Sequence, residues 1–205
     1  MAKPAIGLFG GTFDPIHFAH LRLAEEIADA FHLQQVRLIP ASVPPHRNQP
    51  RASAEHRLAM TRLAAAGNAR LCVDARELAR PGISYTVDTL SEVRSETGNT
   101  PLCLLMGTDA FVALTTWHSW QELFDLAHII VARRPGFPLE KLASALPEAL
   151  RDEYTERLET QADVLRKTPA GRVFTHELTA LDVSATALRD LISRNASLRY
   201  LLPDD

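Results

Sequence analysis

The sequence predicts an α/β fold, a doubly wound, Rossmann-like parallel sheet with helices on both faces, built as one domain over residues 1–205. Three observations predict it. Short, unbroken apolar runs at Ala5 to Phe9, Val36 to Ile39, Leu102 to Met106 and His128 to Ala132 read as strands buried on both faces. Amphipathic stretches of helical period lie between them. The runs close on glycine, proline or a basic pair, the punctuation of turns, so ligand-binding residues belong just beyond the strand ends.

Taken in order, Ala5 to Phe9 enters a double glycine, and a helix follows in which Leu21, Ala24, Ile27, Ala28 and Phe31 share one face. Val36 to Ile39 is the second strand, stopped by Pro40. Residues 41–51 hold Pro44, Pro45 and Pro50 and must be an irregular loop. Ser53 caps a helix carrying Leu58, Leu63 and Ala64, and Leu71 to Val73 forms the third strand. Ser84 opens a helix through Val87, Leu90 and Val93. Leu102 to Met106 is the fourth strand, ending at Gly107, and His128 to Ala132 the fifth, ending at Arg133, Arg134 and Pro135. Residues 138–168 are charged and helical in pattern without visible chemistry. Arg172 to Thr175 reads as a last strand, and Ser184 to Ser193 as a last helix with Leu188, Leu191 and Ile192 on one side.

Composition narrows the function. A net charge of -3 argues against a nucleic-acid backbone as partner, since such domains carry a basic surplus. No segment approaches the roughly 18 apolar residues of a membrane helix, and no signal peptide is visible. Cys72 and Cys103 each sit in a strand-like run and read as buried thiols, so the chain reads as soluble and cytoplasmic.

The chemistry concentrates after the first strand, in Gly10, Gly11, Thr12, Phe13, Asp14, Pro15, Ile16, His17, Phe18, Ala19 and His20. Two glycines let a ligand approach the backbone closely, and amides ahead of a helix N-terminus make an anion site. His17 and His20, three apart, aim both imidazoles toward that site, which suits the charge that builds on a phosphoryl group in transfer. No cysteine or third histidine stands at zinc-binding spacing, so no protein-bound metal is expected.

This stretch resembles the G-G-T-F-D-P-x-H-x-G-H signature of the HxGH nucleotidyltransferases, in particular the nicotinate mononucleotide adenylyltransferases. Gly10 to Pro15, His17 and His20 match it, and Ala19 replaces its glycine. Further stretches are similar in the family's order. Pro44, Pro45, His46 and Arg47 resemble P-P-H-K, and Ser84, Tyr85 and Thr86 match S-Y-T. Gly107, Asp109, Trp117 and His118 resemble the G-x-D and W-H region. Ser184, Ala185, Thr186 and Arg189 resemble S-S-T-x-x-R, with one serine lost. The chain ends at Asp205, and a shortened C-terminus is expected against relatives that continue into a further helix.

The resemblance implies direct in-line transfer of AMP from ATP to nicotinic acid mononucleotide. It implies catalytic roles for His17, His20, Arg47 and Arg189, and ATP binding by Gly10, Gly11, Thr12, Phe13, Gly107, Asp109, Ser184 and Thr186. The acceptor would meet His46, Ser84, Tyr85, Thr86, Trp117, Arg133 and Arg134. Magnesium would arrive on the ATP phosphates. Partners are then the two nucleotides, with neither nucleic acid nor membrane, and a homo-oligomer is left open. Two alternatives stay open from the sequence: another acceptor, such as nicotinamide mononucleotide or pantetheine phosphate, or a module that senses ATP without turning it over.

Overall fold

The structure, a computed structural model, describes residues 4–43, 49–133, 138–179 and 181–203. In chain order the elements are β1 (Ile6–Gly11), α1 (Phe18–Ala30), β2 (Gln35–Pro40), α2 (Ala54–Ala65), β3 (Leu71–Val73), α3 (Arg76–Ala79), α4 (Thr86–Thr97) and β4 (Leu102–Gly107). These are followed by α5 (Thr108–Val112), α6 (Leu123–Leu126), β5 (His128–Arg133), α7 (Leu139–Ala145), α8 (Glu148–Arg157), β6 (Val173–Glu177) and α9 (Ala185–Ser193). All six strands join one parallel sheet in the order β3-β2-β1-β4-β5-β6. The direction of winding reverses between β1 and β4, which places the binding crevice beyond their carboxyl ends.

The alternation of side chains along each strand divides the core between two faces. Leu102, Leu104 and Met106 of β4 pack with Ile129 and Val131 of β5, Leu90 and Val93 of α4, and Leu142 and Leu150 of α7 and α8. The intervening Cys103, Leu105, Ile130 and Ala132 pack on the opposite side with Val36, Leu38 and the Ala24, Ile27 and Ala28 face of α1. His128 is fully buried, and both ring nitrogens are used: Nε2 meets the Thr168 carbonyl at 2.9 Å, while Nδ1 accepts the Arg172 amide at 3.1 Å. That pattern holds the start of β5 against β6 and needs the neutral ring.

Four local expectations are corrected. Cys72 is exposed, because β3 is an edge strand and only its Leu71 and Val73 side packs on the core. Helix α2 buries Arg57, Thr61 and Ala65, whereas Leu63 is exposed, because this helix lies over carbonyl-lined turns as well as apolar strand. Ser84 does not cap α4, whose N-cap is Tyr85 without a side-chain bond, since the Ser84 hydroxyl is taken by the amide of Ser42 at 3.0 Å. In α9 only Leu188 is buried, and Ile192 faces outward. Among the described residues no helix is long and apolar enough to cross a membrane.

Candidate active site

At the end of β1 the two glycines do different work. A Cβ on Gly11 would lie 2.6 Å from Cε1 of Phe13, whose own backbone holds a positive φ of 49° and folds the ring back over the turn. A Cβ on Gly10 would meet nothing within 4 Å, and the same is true of Gly107 at the end of β4. Those two glycines therefore leave an open flank on either side of the point where the winding reverses. Gly11→Ala should cost about 1–3 kcal/mol of stability through overpacking. Gly10→Ala should leave urea denaturation unchanged and weaken ATP binding, and equal effects of the two substitutions on both measurements would refute this division.

Phe13 is expected from sequence to serve the nucleotide, yet its side chain is a packing piece. It is 2% exposed and meets Phe9 at 5.7 Å and His20 edge-on at 5.2 Å between ring centroids. Helix α1 begins with His17 as its N-cap. The His17 amide donates to Nδ1 of His20 at 3.3 Å, so neutral His20 carries its proton on Nε2. The two imidazoles stack at 3.8 Å between centroids, 25° from parallel. Ala19 fits the first turn of this helix, where glycine is not required.

His17 is 4% exposed, and its Nδ1 has no hydrogen-bond partner among the described residues. Burial pushes its pKa down to about 4, so the ring is neutral near pH 7. Burial also lowers the pKa of His128 and of His176. A histidine whose folded pKa is depressed supports the fold fully above its unfolded value near 6.5, and that support is lost as pH falls toward the folded value. The melting temperature is therefore expected to decline from pH 6.5 to about pH 4, and more gently in His17→Asn. Equal slopes for the two proteins would show that His17 is not responsible.

From the other end of the chain, α9 brings Arg189 to the same turn. Its Nη1 donates to the Asp14 carbonyl at 2.6 Å and lies 3.8 Å from the Asp14 carboxylate. Its Nη2 donates to the Thr186 hydroxyl at 3.2 Å, and its Nε is buried without a partner among the described residues. Ser184 caps α9 by accepting the Ala187 amide at 3.2 Å. The turn after β1 is thus flanked by paired imidazoles and a guanidinium, with backbone amides between them.

The remaining expected residues divide. Asp109 is exposed in the first turn of α5, and Thr108 ties that turn to β5 by donating to the Ala132 carbonyl at 3.2 Å. The rings of Tyr85 and His118 lie 4.5 Å apart, which joins the Ser84–Thr86 segment to the segment after β4. Trp117 is partly buried against the core beside them, while Thr86 begins α4. Arg133 faces Glu177 of β6 at 3.6 Å. His46, Arg47 and Arg134 lie outside the described residues. Sequence reasoning missed two buried charges here. Asp14 accepts the amides of Arg51 and Ala52 at 2.8 and 3.1 Å, and Arg57 donates to the carbonyls of Thr12, Ala41 and Ser42.

A family profile described as cytidylyltransferase-like matches residues 8–191. A protein of Halorhodospira halophila named "Probable nicotinate-nucleotide adenylyltransferase" is 49% identical over 97% of this chain and 89% of its own length. A protein of Dechloromonas aromatica with the same name is 50% identical over 100% of this chain and 93% of its own. The chain belongs to the nicotinate-nucleotide adenylyltransferase family. Its fold is shared with the solved Plasmodium falciparum nicotinic acid mononucleotide adenylyltransferase complexed with NaAD, at a TM-score of 0.70 and 15% identity over 95% of this chain and 87% of that one.

Among the described residues, no three histidine, cysteine, aspartate or glutamate side chains are grouped to hold an ion. The groups around the β1 turn include amides, imidazoles and a guanidinium, which suit phosphate oxygens, and the one carboxylate named there, Asp14, is taken up by the Arg51 and Ala52 amides and faces Arg189.

Proposed function

We propose that this protein transfers AMP from ATP, taken as its magnesium complex, to nicotinic acid mononucleotide, yielding nicotinic acid adenine dinucleotide and pyrophosphate. The observation that carries the reading is the hydrogen bond from Arg189 to the Asp14 carbonyl, which brings the last helix onto the turn that precedes His17 and His20. Near-half identity to relatives named for this activity supports the choice of acceptor.

In the reaction a phosphate oxygen of the mononucleotide forms a bond to the α-phosphorus of ATP, and the bond from that phosphorus to the bridging oxygen of the β-phosphate breaks. Pyrophosphate leaves with the electron pair. Little covalent chemistry falls to the protein, so its work is positioning and charge stabilisation. The Gly10–Phe13 backbone and the start of α9, with Ser184 and Thr186, would hold the triphosphate from two sides. Neutral His17, with His20, would act as a hydrogen-bonding group, and Arg189, with Arg47, as the fixed positive charge. Gly107 leaves room for the nucleotide, and Asp109 suits a ribose hydroxyl. Tyr85, Thr86 and Trp117 would receive the pyridine ring, with His46, Arg133 and Arg134 toward its phosphate and carboxylate. Ser84 would serve this site indirectly, since its hydroxyl points inward. The free thiols Cys72 and Cys103 fit a reducing cytoplasm.

The test is incubation with ATP, magnesium and, in parallel, nicotinic acid mononucleotide, nicotinamide mononucleotide, pantetheine phosphate or flavin mononucleotide. Product mass and pyrophosphate are read. Dinucleotide with the first acceptor is expected, and its formation only with another would overturn the acceptor assignment. ATP binding without any product would favour a sensing module.

A further inference from the structure

Arg57 is 1% exposed, the largest fully buried side chain described. An arginine so placed is tolerated only where most of its donors are satisfied and its charge is balanced, and here the terminal nitrogens carry the bonds while Nε has no hydrogen-bond partner among the described residues. Its Nη1 donates to the carbonyls of Thr12 at 2.8 Å and Ala41 at 2.7 Å, and its Nη2 to Ser42 at 3.3 Å. One planar group thus joins the turn after β1 to the loop after β2. The same loop continues the connection: Ala41 donates its amide to the Gly11 carbonyl at 2.9 Å, and Ser42 donates its amide to the Ser84 hydroxyl at 3.0 Å. Ser84 in turn donates its amide to the Val43 carbonyl at 3.1 Å, and its side chain is hydrogen-bonded to the buried carboxylate of Glu77. Asp14 balances the Arg57 charge and holds the amides of Arg51 and Ala52.

We propose that Arg57 is a positioning residue for adenylyl transfer, which through Ser42 and Ser84 fixes the nucleotide-phosphate turn and the Ser84–Thr86 segment at one separation. It touches neither substrate. Its contribution is to keep the attacking oxygen and the α-phosphorus in line, where small misplacements are costly in rate. This rests on the reaction proposed above, so its test includes a readout that does not need turnover.

The variants are Arg57→Lys, which keeps charge without the fork, and Ser84→Ala, a small change that breaks the outer link to Ser42 together with the bond to Glu77. Leu150→Ala on α8, fully buried in the core, serves as the control for lost stability. Amide hydrogen exchange followed at Ala41, Ser42 and Ser84 should accelerate by about tenfold in Arg57→Lys. In Ser84→Ala it should accelerate at Ser42, and in the control at none of the three. In turnover, kcat should fall about tenfold or more in both variants. The separate dissociation constants of a non-hydrolysable ATP analogue and of nicotinic acid mononucleotide should stay within about threefold of wild type, because neither side chain touches a substrate. The double variant should lose little beyond the worse single one, because both cut the same connection. Unchanged exchange at the three amides overturns the proposal whatever the turnover. So does a loss of affinity with kcat preserved, or a kcat loss equalled by the control. A wild-type protein inactive with this mononucleotide would instead overturn the acceptor assignment, leaving exchange to decide the role of Arg57.

Discussion

His20→Ala is expected to lower turnover on the order of 100-fold or more, with the fold intact. The side chain is partly exposed and accepts a long bond from the His17 amide, at 3.3 Å. What holds it in place matters more. His17 stacks on one face, Phe13 packs perpendicular to the ring, and in the neutral ring the occupied Nδ1 fixes the proton on Nε2. A ring restrained on three sides is a preorganised donor, and such donors act on developing charge without reorganising as the reaction proceeds. His20→Gln, which keeps a donor but loses the stacking and the ring, should recover only part of the activity. Pyrophosphate release from His20→Ala at the wild-type rate would remove His20 from the mechanism.

Arg189→Ala is expected to lower kcat/KM by about 100-fold or more, with a raised KM for ATP. With His17 neutral near pH 7, Arg189 is a positive charge seated on the described part of the turn that, unlike Arg57, is not fully buried, and one of its two terminal nitrogens already grips the Asp14 carbonyl. Removal therefore subtracts charge and loosens the seat of the turn together. The structural share should be about 1 kcal/mol, the ordinary worth of one such hydrogen bond. Arg189→Lys should remain well below wild type, because a point charge cannot hold Asp14 and Thr186 while presenting a further donor. Full activity in Arg189→Lys would mean that geometry at this position is irrelevant.

The sheet was legible because its strands are apolar on both faces, which leaves few other readings for Leu102 to Met106 or His128 to Ala132. The capped start of α9 was legible for a similar reason, since Ser184 acts within its own neighbourhood. What failed was whatever depends on a partner distant in sequence. Ser84 looks like a cap when read alone, and is diverted by an amide 42 residues earlier. Arg57 looks like a solvated charge on a helix whose leucines should face inward, yet its acceptors are carbonyls 15 to 45 residues away. Periodicity records which side chains are apolar, and it is silent on main-chain oxygens that need a donor. Asp14 was read as part of a motif, but its bonds to the amides of Arg51 and Ala52 carry no signature in composition.

The bare flanks at Gly10 and Gly107 bear on how such a protein can change its substrate. At these two flanks the contacts open to a ligand are peptide groups, so on the reading proposed above that part of the hold on a polyphosphate is insulated from drift in the surrounding sequence, though not from substitution of the glycines themselves. The proposed function assigns selectivity to the neighbouring segments that do carry side chains, Tyr85 and Thr86 on one hand and Trp117 and His118 on the other. A library confined to those four positions should redirect the choice of acceptor while the shared nucleotide handle stays as it is.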